Sequence, residues 1–254
     1  MQRLAGIVDT LRGENGATIR ELAGKLAVSG MTIRRDLDEL ARDGIVRLVH
    51  AGAVLAPEAS QDFLPRYSLA EAVGERAEQK AAIGRAAAAM VADGAIVIVD
   101  SGTTTEWVAR SLPAGLQATI ICFALNILLE VHRRESCEVV FGGGTLHRDT
   151  LMFEGPESPA LVRRHRATLA FVSAAGVSDR LGVTCVNPYE VETKRAAIAS
   201  ALLRVLVVDS SKFGRVQAAF VGELSDFDTV VTDGGIPPEF AELLPARGIE
   251  LRIA

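Results

Sequence analysis

Residues 28–37, VSGMTIRRDL, decide the fold of the amino-terminal part of the chain. Ser29 is a residue type that commonly caps a helix, and Ile33 and Leu37 follow at the four-residue spacing of one helical face. The stretch therefore predicts a helix that packs its apolar face on a core. This packing leaves Met31, Arg35 and Asp38 pointing away from the core, with Thr32 and Arg34 on the flanks.

The sequence on either side of this helix predicts the rest of a small domain. Residues 18–21, TIRE, have the pattern of a capping box, which starts a second helix. An apolar period over residues 4–11 predicts a helix before it, and residues 45–55 contain two β-type runs around the turn HAG at 50–52. Three helices followed by a hairpin are typical of a winged helix-turn-helix domain.

The outer face of the helix after Ser29 has the chemistry needed to read DNA. A helix in the major groove needs hydroxyl and guanidinium donors in its first turns, for phosphate oxygens and for guanine O6 and N7. Arginines at this spacing also suit a second interpretation, in which they cover a solvated face and pair with Asp38 or Glu39. The surrounding capping box, short turn and hairpin favour DNA binding. The predicted DNA-binding residues are Ser29, Met31, Thr32, Arg34 and Arg35 on the helix and Arg47 on the hairpin.

Residues 18–54 resemble the amino-terminal domain of the DeoR family of bacterial transcriptional regulators. The resemblance is carried by the pattern V-S-x-M-T-I-R-R-D-L at 28–37, which is the recognition-helix signature of that family. The sequence departs from the family at Ala51-Gly52, where members usually have a Gly-Gly pair after the histidine of the wing. This departure concerns the hairpin turn and does not touch the DNA-reading helix.

Composition and charge agree with a globular protein that has a DNA-binding head. Of the 254 residues, 49% are hydrophobic and 23% are charged, which excludes disordered, collagen-like and coiled-coil chains. Residues 1–54 contain 8 Lys and Arg against 7 Asp and Glu, so the net charge of −5 comes from the remainder of the chain. An acidic chain is therefore no argument against DNA binding by this part.

Cysteine usage and hydropathy indicate a cytoplasmic protein without a membrane span. Cys122, Cys137 and Cys185 are odd in number and far apart, which argues against a disulfide framework or a zinc site. Residues 1–13 contain no apolar run of signal-peptide length. Residues 111–129 lack charged side chains, but prolines, glycines and polar residues divide them, so we expect a loop, a strand and the start of a helix.

We expect three parts along the chain: a winged helix-turn-helix domain at 1–56, a linker at 57–66 and an α/β domain at 67–254. The linker has two prolines and no clear hydrophobic period. Residues 67–92, which are rich in alanine, predict one long helix. Near-continuous apolar runs then alternate with helical stretches, which is typical of a mainly parallel sheet covered on both faces. The predicted strands are 95–99, 118–123, 137–141, 168–174, 204–208, 228–232 and 249–253.

Small, hydroxylated and Gly-rich residues follow several of these strands, where ligands bind in open α/β sheets. The clearest motif is DSGTTT at 100–105, in which a helix amino terminus and several hydroxyl groups can hold a phosphate. The alternative interpretation of these six residues is a polar turn in which a hydroxyl group caps the next helix. Lys194 is placed to contact a ligand anion, or to pair with Glu190 four residues earlier. The candidate ligand-binding residues are Asp100, Ser101, Gly102, Thr103, Thr104, Gly142, Gly143, Glu190, Lys194, Asp209 and Lys212.

The resemblance to DeoR-type regulators extends over nearly the whole chain. It implies a carboxy-terminal domain similar to ribose-5-phosphate isomerase and CoA-transferase folds, which senses a phosphorylated sugar or a related metabolite. The matching motifs are D-S-G-T-T at 100–104, G-G at 142–143, E-x-x-x-K-R at 190–195 and D-x-S-K-F at 209–213. The family commonly has V-x-T-N-[SL] after the second strand, where this chain has CFALN at 122–126. Asn126 is the member of that motif that we assign to the effector site.

Two functions fit these observations. The first is a sequence-specific DNA-binding regulator, most naturally a repressor of carbohydrate metabolism genes, controlled by a phosphorylated sugar. The second is a sugar-phosphate isomerase with a vestigial head, but only the first has a use for a groove-reading helix. The histidines lack metal-ligand spacing and no dinucleotide or P-loop motif is present, so we expect no metal and no cofactor. A two-fold DNA operator further predicts a homodimer or a higher homo-oligomer.

Overall fold

The computed structural model describes residues 2–14, 16–56 and 68–254. Two compact units divide the chain. The head unit combines Met1–Arg66 with two later segments, Ala175–Pro188 and Gly214–Leu224, and the sheet unit contains the rest. The sequence places a single boundary in the linker at 57–66, which lies outside the described residues. The two later segments, expected in the second domain, therefore belong to the compact unit of the first.

The amino-terminal part of the head unit forms the predicted helices and hairpin. Its elements are α1 (Gln2–Glu14), β1 (Ala17–Thr18), α2 (Ile19–Lys25), α3 (Gly30–Arg42), β2 (Val46–Val49) and β3 (Gly52–Leu55). Thr18 caps α2 in the expected capping box with Glu21. Ser29 caps α3 by accepting a hydrogen bond from the Thr32 amide. The three helices bury one apolar core, which includes Ile33.

The remaining elements follow residue 67. The helices are α4 (Leu69–Gly74), α5 (Ala77–Ala88), α6 (Thr103–Ser111), α7 (Leu125–Val131), α8 (Glu157–Arg163), α9 (Val191–Ser200) and α10 (Pro238–Ala246). The strands are β4 (Ile96–Val99), β5 (Ala118–Cys122), β6 (Cys137–Phe141), β7 (Thr145–Leu146), β8 (Phe153–Glu154), β9 (Ala167–Val172), β10 (Gly176–Ser178), β11 (Gly182–Cys185), β12 (Ala201–Val207), β13 (Ala219–Gly222), β14 (Thr229–Thr232) and β15 (Glu250–Ile253).

The sheet unit is built on a parallel sheet of the predicted kind. Among the described residues its strands lie in the order β15-β14-β12-β9-β4-β5-β6, and every neighbouring pair is parallel. Each apolar run expected to be a strand is one of these, and helices such as α5 and α6 contribute to the buried core. Parallel pairing brings the carboxyl ends of all the strands to one edge, which positions the candidate effector residues.

Three short strands form a second sheet in the head unit, and sequence patterning gave no sign of them. The strands β10, β11 and β13 pair antiparallel in that order. Each has three or four residues, which is too few to show a reliable period. The hairpin β7–β8 was missed for the same reason.

The single helix predicted for residues 67–92 is wrong. The structure has two helices, α4 and α5, with a break at Arg76, whose φ of 50° is left-handed. Such a backbone is costly for a residue other than glycine, so local contacts must hold it. The guanidinium of Arg76 donates to Ser210 Oγ at 3.0 Å, and the buried Lys80 donates to the Ala72 carbonyl of α4 at 2.7 Å. A high alanine content predicts a helix, but it carries no information about these two contacts.

Residues 111–129 divide as expected into the end of α6, a loop, β5 and the start of α7. No helix in the ranges that the structure describes has both the length and the apolar character needed to cross a bilayer.

Candidate functional site

The outer face of α3 carries the side chains predicted to read DNA. Ile33, Leu37 and Leu40 of this helix are buried, whereas Met31 is 79% exposed. Thr32 is half-buried beside the Ser29 cap, and its hydroxyl lies 2.9 Å from Ser29 Oγ.

Arg34 and Arg35 are both exposed and have no hydrogen-bond or ion-pair partner among the described residues. The alternative in which they pair with Asp38 or Glu39 is not found there. The helix thus presents two uncompensated guanidinium groups to its surroundings.

An ion pair between a half-exposed arginine and a buried aspartate joins this helix to α1. Asp36 on the inner side of α3 accepts two hydrogen bonds from the Arg3 guanidinium of α1, at 2.5 and 2.9 Å. Asp36 is 5% exposed, and the hydrogen bonds from Arg3 lower the pKa of its carboxyl. Sequence reasoning missed this pair because its members are 33 positions apart. Asp36 therefore directs its hydrogen bonds to α1, and it forms none with Arg34 or Arg35 among the described residues.

An open cavity of about 830 Å³ lies at the amino-terminal ends of α2 and α3. Its lining includes Arg20, Arg34 and Arg180, together with the carboxylate-bearing Glu21. Helix amino termini and guanidinium groups both favour an anion. The cavity therefore extends the positive character of the outer face of α3. Arg180 comes from the later segment 175–188 of the head unit, and sequence reasoning did not place it here.

Arg47 was expected to contact DNA from the hairpin, but its side chain bonds to another part of the head unit. Its Nη2 donates to the carbonyl of Val216 at 3.2 Å, and its Nε is buried without a hydrogen-bond partner among the described residues. Burial lowers the pKa of this guanidinium. The side chain is turned to the segment Gly214–Leu224 of the same unit, so in this arrangement it is not presented to a DNA phosphate. Its contact with DNA stays a prediction that the geometry does not favour.

At the carboxyl edge of the parallel sheet, Asp100 and Lys194 form a buried ion pair. Lys194 Nζ lies 2.5 Å from Asp100 Oδ2 and 3.5 Å from Glu190 Oε2. Asp100 is fully buried and Lys194 is 1% exposed. The amide of Ser173, at the end of β9, donates to the same Asp100 oxygen at 2.9 Å. Lys194 was expected either to contact a ligand anion or to pair with Glu190. In the structure its ammonium group already pairs with two carboxylates.

The amino terminus of α6 forms the rim of this cluster. Gly102 precedes the helix with φ 126°, a conformation that strains other residues, and a Cβ there would lie 2.9 Å from Ser173 Oγ. No side chain caps α6, so its first amides have no side-chain acceptor. Asn126 donates from Nδ2 to the Gly102 carbonyl at 3.3 Å and to Glu106 at 2.9 Å. Its Oδ1 is buried without a hydrogen-bond partner among the described residues.

The hairpin β7–β8 and the glycines before it pack around the same edge. A Cβ on Gly142 would lie 2.8 Å from Ser158 Oγ, and Ser158 donates to the Gly143 carbonyl at 2.9 Å. Met152, which is fully buried, has its sulfur 3.9 Å from Ser101 Oγ. Gly142 is therefore explained by close packing on α8, whereas a Cβ on Gly143 would meet no atom of the described residues within 4 Å. Met152 covers the DSGTTT loop. Sequence reasoning had no signal for Met152 or Ser158.

A second polar cluster follows β12. Asp209 is fully buried; its Oδ1 accepts from the Ser211 amide at 3.0 Å, and its Oδ2 has no hydrogen-bond partner among the described residues. Lys212 Nζ lies 3.8 Å from Oδ2, and Arg76 Nε lies 3.7 Å from Oδ1. Asp209 Oδ2 can accept a hydrogen bond from a ligand hydroxyl, and the neighbouring Lys212 and Arg76 can bind an anion of the same ligand.

The structure therefore arranges the candidate effector residues in groups along one edge. Asp100, Glu190 and Lys194 are in direct contact, Asn126 contacts Gly102, and Asp209 lies with Lys212. Thr103 and Thr104 are buried in the first turn of α6. In the described part of the chain no cluster of three or more His, Cys, Asp and Glu residues could hold a metal ion.

Two family models match this chain. Residues 3–59 match the DeoR-like helix-turn-helix domain, and residues 75–234 match the DeoR C terminal sensor domain. The deoxyribose operon repressor of Escherichia coli K12 is 31% identical over 98% of this chain and 97% of its own length. The transcriptional repressor AccR of Agrobacterium fabrum is 33% identical, over 92% and 89% respectively. The glycerol-3-phosphate regulon repressor of Escherichia coli K12 is 29% identical, over 99% and 98%.

Proposed function

We propose that this chain, which belongs to the DeoR family of transcriptional regulators, represses carbohydrate metabolism genes under the control of a phosphorylated sugar. The observation that carries the DNA-binding part is the outer face of α3, where Arg34 and Arg35 are exposed and unpaired among the described residues. A guanidinium that is not held by a carboxylate is ready to bond bidentately to guanine. The protein acts on a double-stranded operator in the cytoplasm, as a homodimer or a higher homo-oligomer.

The sheet edge supports a phosphorylated sugar as the effector. Free amides at the start of α6 and the hydroxyls of Ser101, Thr103 and Thr104 suit a phosphate. Asp209 Oδ2 and Asn126 Oδ1 accept no hydrogen bond from the residues that the structure describes, and they suit sugar hydroxyl groups, which are hydrogen-bond donors. Two relatives are named for a deoxyribose operon and for a glycerol-3-phosphate regulon, that is, for a sugar and for a phosphorylated polyol. The chemistry selects the class and leaves the individual sugar to experiment.

We further propose that the sheet unit is a sensor without isomerase activity. A general base needs a carboxylate with a free lone pair facing the substrate. Asp100 is instead bonded to Lys194 and to the Ser173 amide, and Asp209 lies 3.8 Å from Lys212 and 3.7 Å from Arg76, which supports structural and binding roles for these carboxylates. Incubation with pentose and hexose phosphates should give no turnover. Isomerisation at about 1 s⁻¹ or faster, which is within the ordinary enzyme range, would refute this part.

The proposed control is a linkage between two ligands. If the phosphorylated sugar binds the DNA-competent arrangement less tightly than another arrangement, its binding lowers operator affinity. The coupling free energy is typically about 1–3 kcal/mol, which is a change of roughly 5–150-fold in affinity.

The DNA-binding part is tested with a duplex that the full-length protein selects from a random library. Arg35→Ala should weaken binding to this duplex by about 10–100-fold, because a bidentate base contact is worth about 1–3 kcal/mol. Arg42→Ala is the matched control, since it removes the same charge from the last turn of the same helix. Fluorescence anisotropy measures both variants. Equal affinities of the two variants would refute the assignment of the outer face of α3 to DNA.

The effector part is tested by adding triose, pentose and hexose phosphates to the protein bound to its selected duplex. One of them should lower DNA affinity, and its unphosphorylated counterpart should not. Thr104→Val removes a hydroxyl at the amino end of α6 and should weaken this response, whereas Thr168→Val, at the opposite end of the sheet on β9, should not. If no sugar phosphate changes DNA affinity, the effector class is wrong.

A further inference from the structure

The antiparallel sheet of the head unit brings a second part of the chain against the DNA-binding helices. Its hairpin β10–β11 carries Arg180 at the turn. Beside it, Leu181 is 3% exposed and belongs to an apolar cluster with Val54 of β3 and Val216. A Cβ on Gly16 would lie 3.2 Å from the Leu181 side chain, so the approach is close. The hairpin is therefore packed on the head and is not a loose surface loop.

The guanidinium group of Arg180 forms hydrogen bonds with residues at the junction between α1 and α2. Its Nη1 lies 2.9 Å from Glu14 Oε2 and 3.4 Å from Glu21 Oε1. Its Nη2 donates at 2.9 Å to the carbonyls of Glu14 and Gly16. The two carbonyls belong to the end of α1 and the turn after it, and Glu21 is in the first turn of α2. One side chain thus fixes the distance between two helices of the head.

The same side chain sets the charge beside the DNA-reading face. Glu21, Arg34 and Arg180 line one cavity, so an uncompensated carboxylate there would face the phosphates that Arg34 attracts. Arg180 and Lys25 both pair with Glu14, and hydrogen bonds from Lys25 and then Arg180 lower the pKa of that carboxyl. With Arg180 in place, both acids of the junction are neutralised.

The chain connects this sheet directly to the candidate effector residues. Ser173, which bonds to Asp100, stands three residues before Gly176 of β10. Glu190, which pairs with Lys194, stands five residues after Cys185 of β11. The segment 214–224 likewise begins two residues after Lys212. These short connections give a covalent route from the candidate effector residues to the strands on either side of Arg180.

We propose that Arg180 is a positioning residue for DNA binding, and that segment 175–188 carries the effector signal through it to the DNA-reading helices. The inference rests on the proposed function, because it names how occupancy of the sheet edge reaches the head. Loss of Arg180 should loosen the α1–α2 junction, leave the Glu21 carboxylate uncompensated beside Arg34 and disconnect the head from the sensor.

The test uses the full-length protein, its selected duplex and the sugar phosphate that changes wild-type DNA affinity most. Arg180→Ala should lower DNA affinity by about tenfold, and the remaining affinity should no longer depend on the sugar phosphate. Affinity for the sugar phosphate, measured by calorimetry without DNA, should stay within about twofold of the wild type. Arg204→Ala is the matched control, since Arg204 is paired with Asp228 and is exposed to a similar degree, 33% against 29% for Arg180. This control should respond to the sugar phosphate as the wild type does.

Arg180→Lys keeps the test decisive if Arg180→Ala does not fold. A lysine keeps one charge near Glu14 but cannot reach two carboxylates and two carbonyls together, so it should retain DNA binding with a reduced response. A variant of either kind with the full wild-type response overturns the inference alone. A wild-type protein that selects no duplex, or that responds to no sugar phosphate, overturns the proposed function as well.

Discussion

Replacing Lys194 by alanine tests whether the Asp100–Lys194 pair is mainly structural. The two groups are 2.5 Å apart and almost completely buried, so the change leaves the Asp100 carboxylate without its nearest cation. Removing one partner of a buried pair costs about 3–5 kcal/mol. Because the Ser173 amide still donates to Asp100, we expect the lower end, about 3 kcal/mol in the free energy of unfolding. The double variant Asp100→Asn/Lys194→Met removes both charges of this pair but leaves the buried Glu190 without its lysine, so it should recover part of this loss.

The assay is urea unfolding at pH 7, followed by the fluorescence of Trp107. This residue is the single tryptophan of the chain and lies on α6 in the same unit as the pair. With a slope of about 2 kcal/mol per molar urea, a loss of 3 kcal/mol lowers the midpoint by about 1.5 M. Arg252→Ala, which breaks an exposed pair with Glu250, should cost less than about 1 kcal/mol. If Lys194→Ala behaves like this control, the reasoning about the buried pair is refuted.

The outcome also decides how a lost effector response is to be interpreted. If Lys194→Ala unfolds part of the sheet unit, a missing response does not identify a ligand contact. The double variant then separates the two roles, because it restores part of the stability without restoring the ammonium group.

Two further predictions concern the head unit. Gly52→Ala should destabilise it by more than about 2 kcal/mol, because the new Cβ would lie 2.1 Å from the Ala17 carbonyl, whereas Ala51→Gly should stabilise it by about 0.5–1 kcal/mol by relieving a φ of 62°. Thermal melting by far-UV circular dichroism checks both, and equal melting temperatures would contradict the argument from backbone geometry. Asp36→Asn should destabilise the protein at pH 7, because the Asp36 carboxyl has a lowered pKa in the folded state and so contributes stability above its unfolded pKa. This contribution is lost as the carboxyl is protonated, so the difference in stability between the variant and the wild type should shrink below about pH 4. Urea midpoints at pH 7 and pH 3 measure this, and a difference that is the same at both pH values would show that the Arg3 pair does not supply it.

Sequence reasoning succeeded where the determinants are local. The Ser29 cap, the capping box at 18–21 and the four-residue spacing of Ile33 and Leu37 all act within one or two helical turns, and each is present. The apolar strands were equally legible, because both faces of a parallel sheet must be buried along the whole run. The expectation that their polar carboxyl ends lie along one edge follows from parallel pairing alone.

It failed where a contact joins distant positions. No pattern relates Arg3 to Asp36 or Arg180 to Glu14, because an ion pair leaves no period in the sequence. The break at Arg76 was missed because its compensating bond comes from Ser210, 134 positions away.

The sequence by itself determined that a Ser29-capped helix would present arginines outward and that a parallel sheet would follow it, because caps and hydrophobic periods are properties of neighbouring residues. Contacts between distant parts of the chain turn Arg47 towards Val216, pair Lys194 with Asp100 and add segments 175–188 and 214–224 to the head unit. These outcomes depend on which distant groups meet when the chain folds, since a buried charge or carbonyl must find its partner wherever the topology brings one within reach.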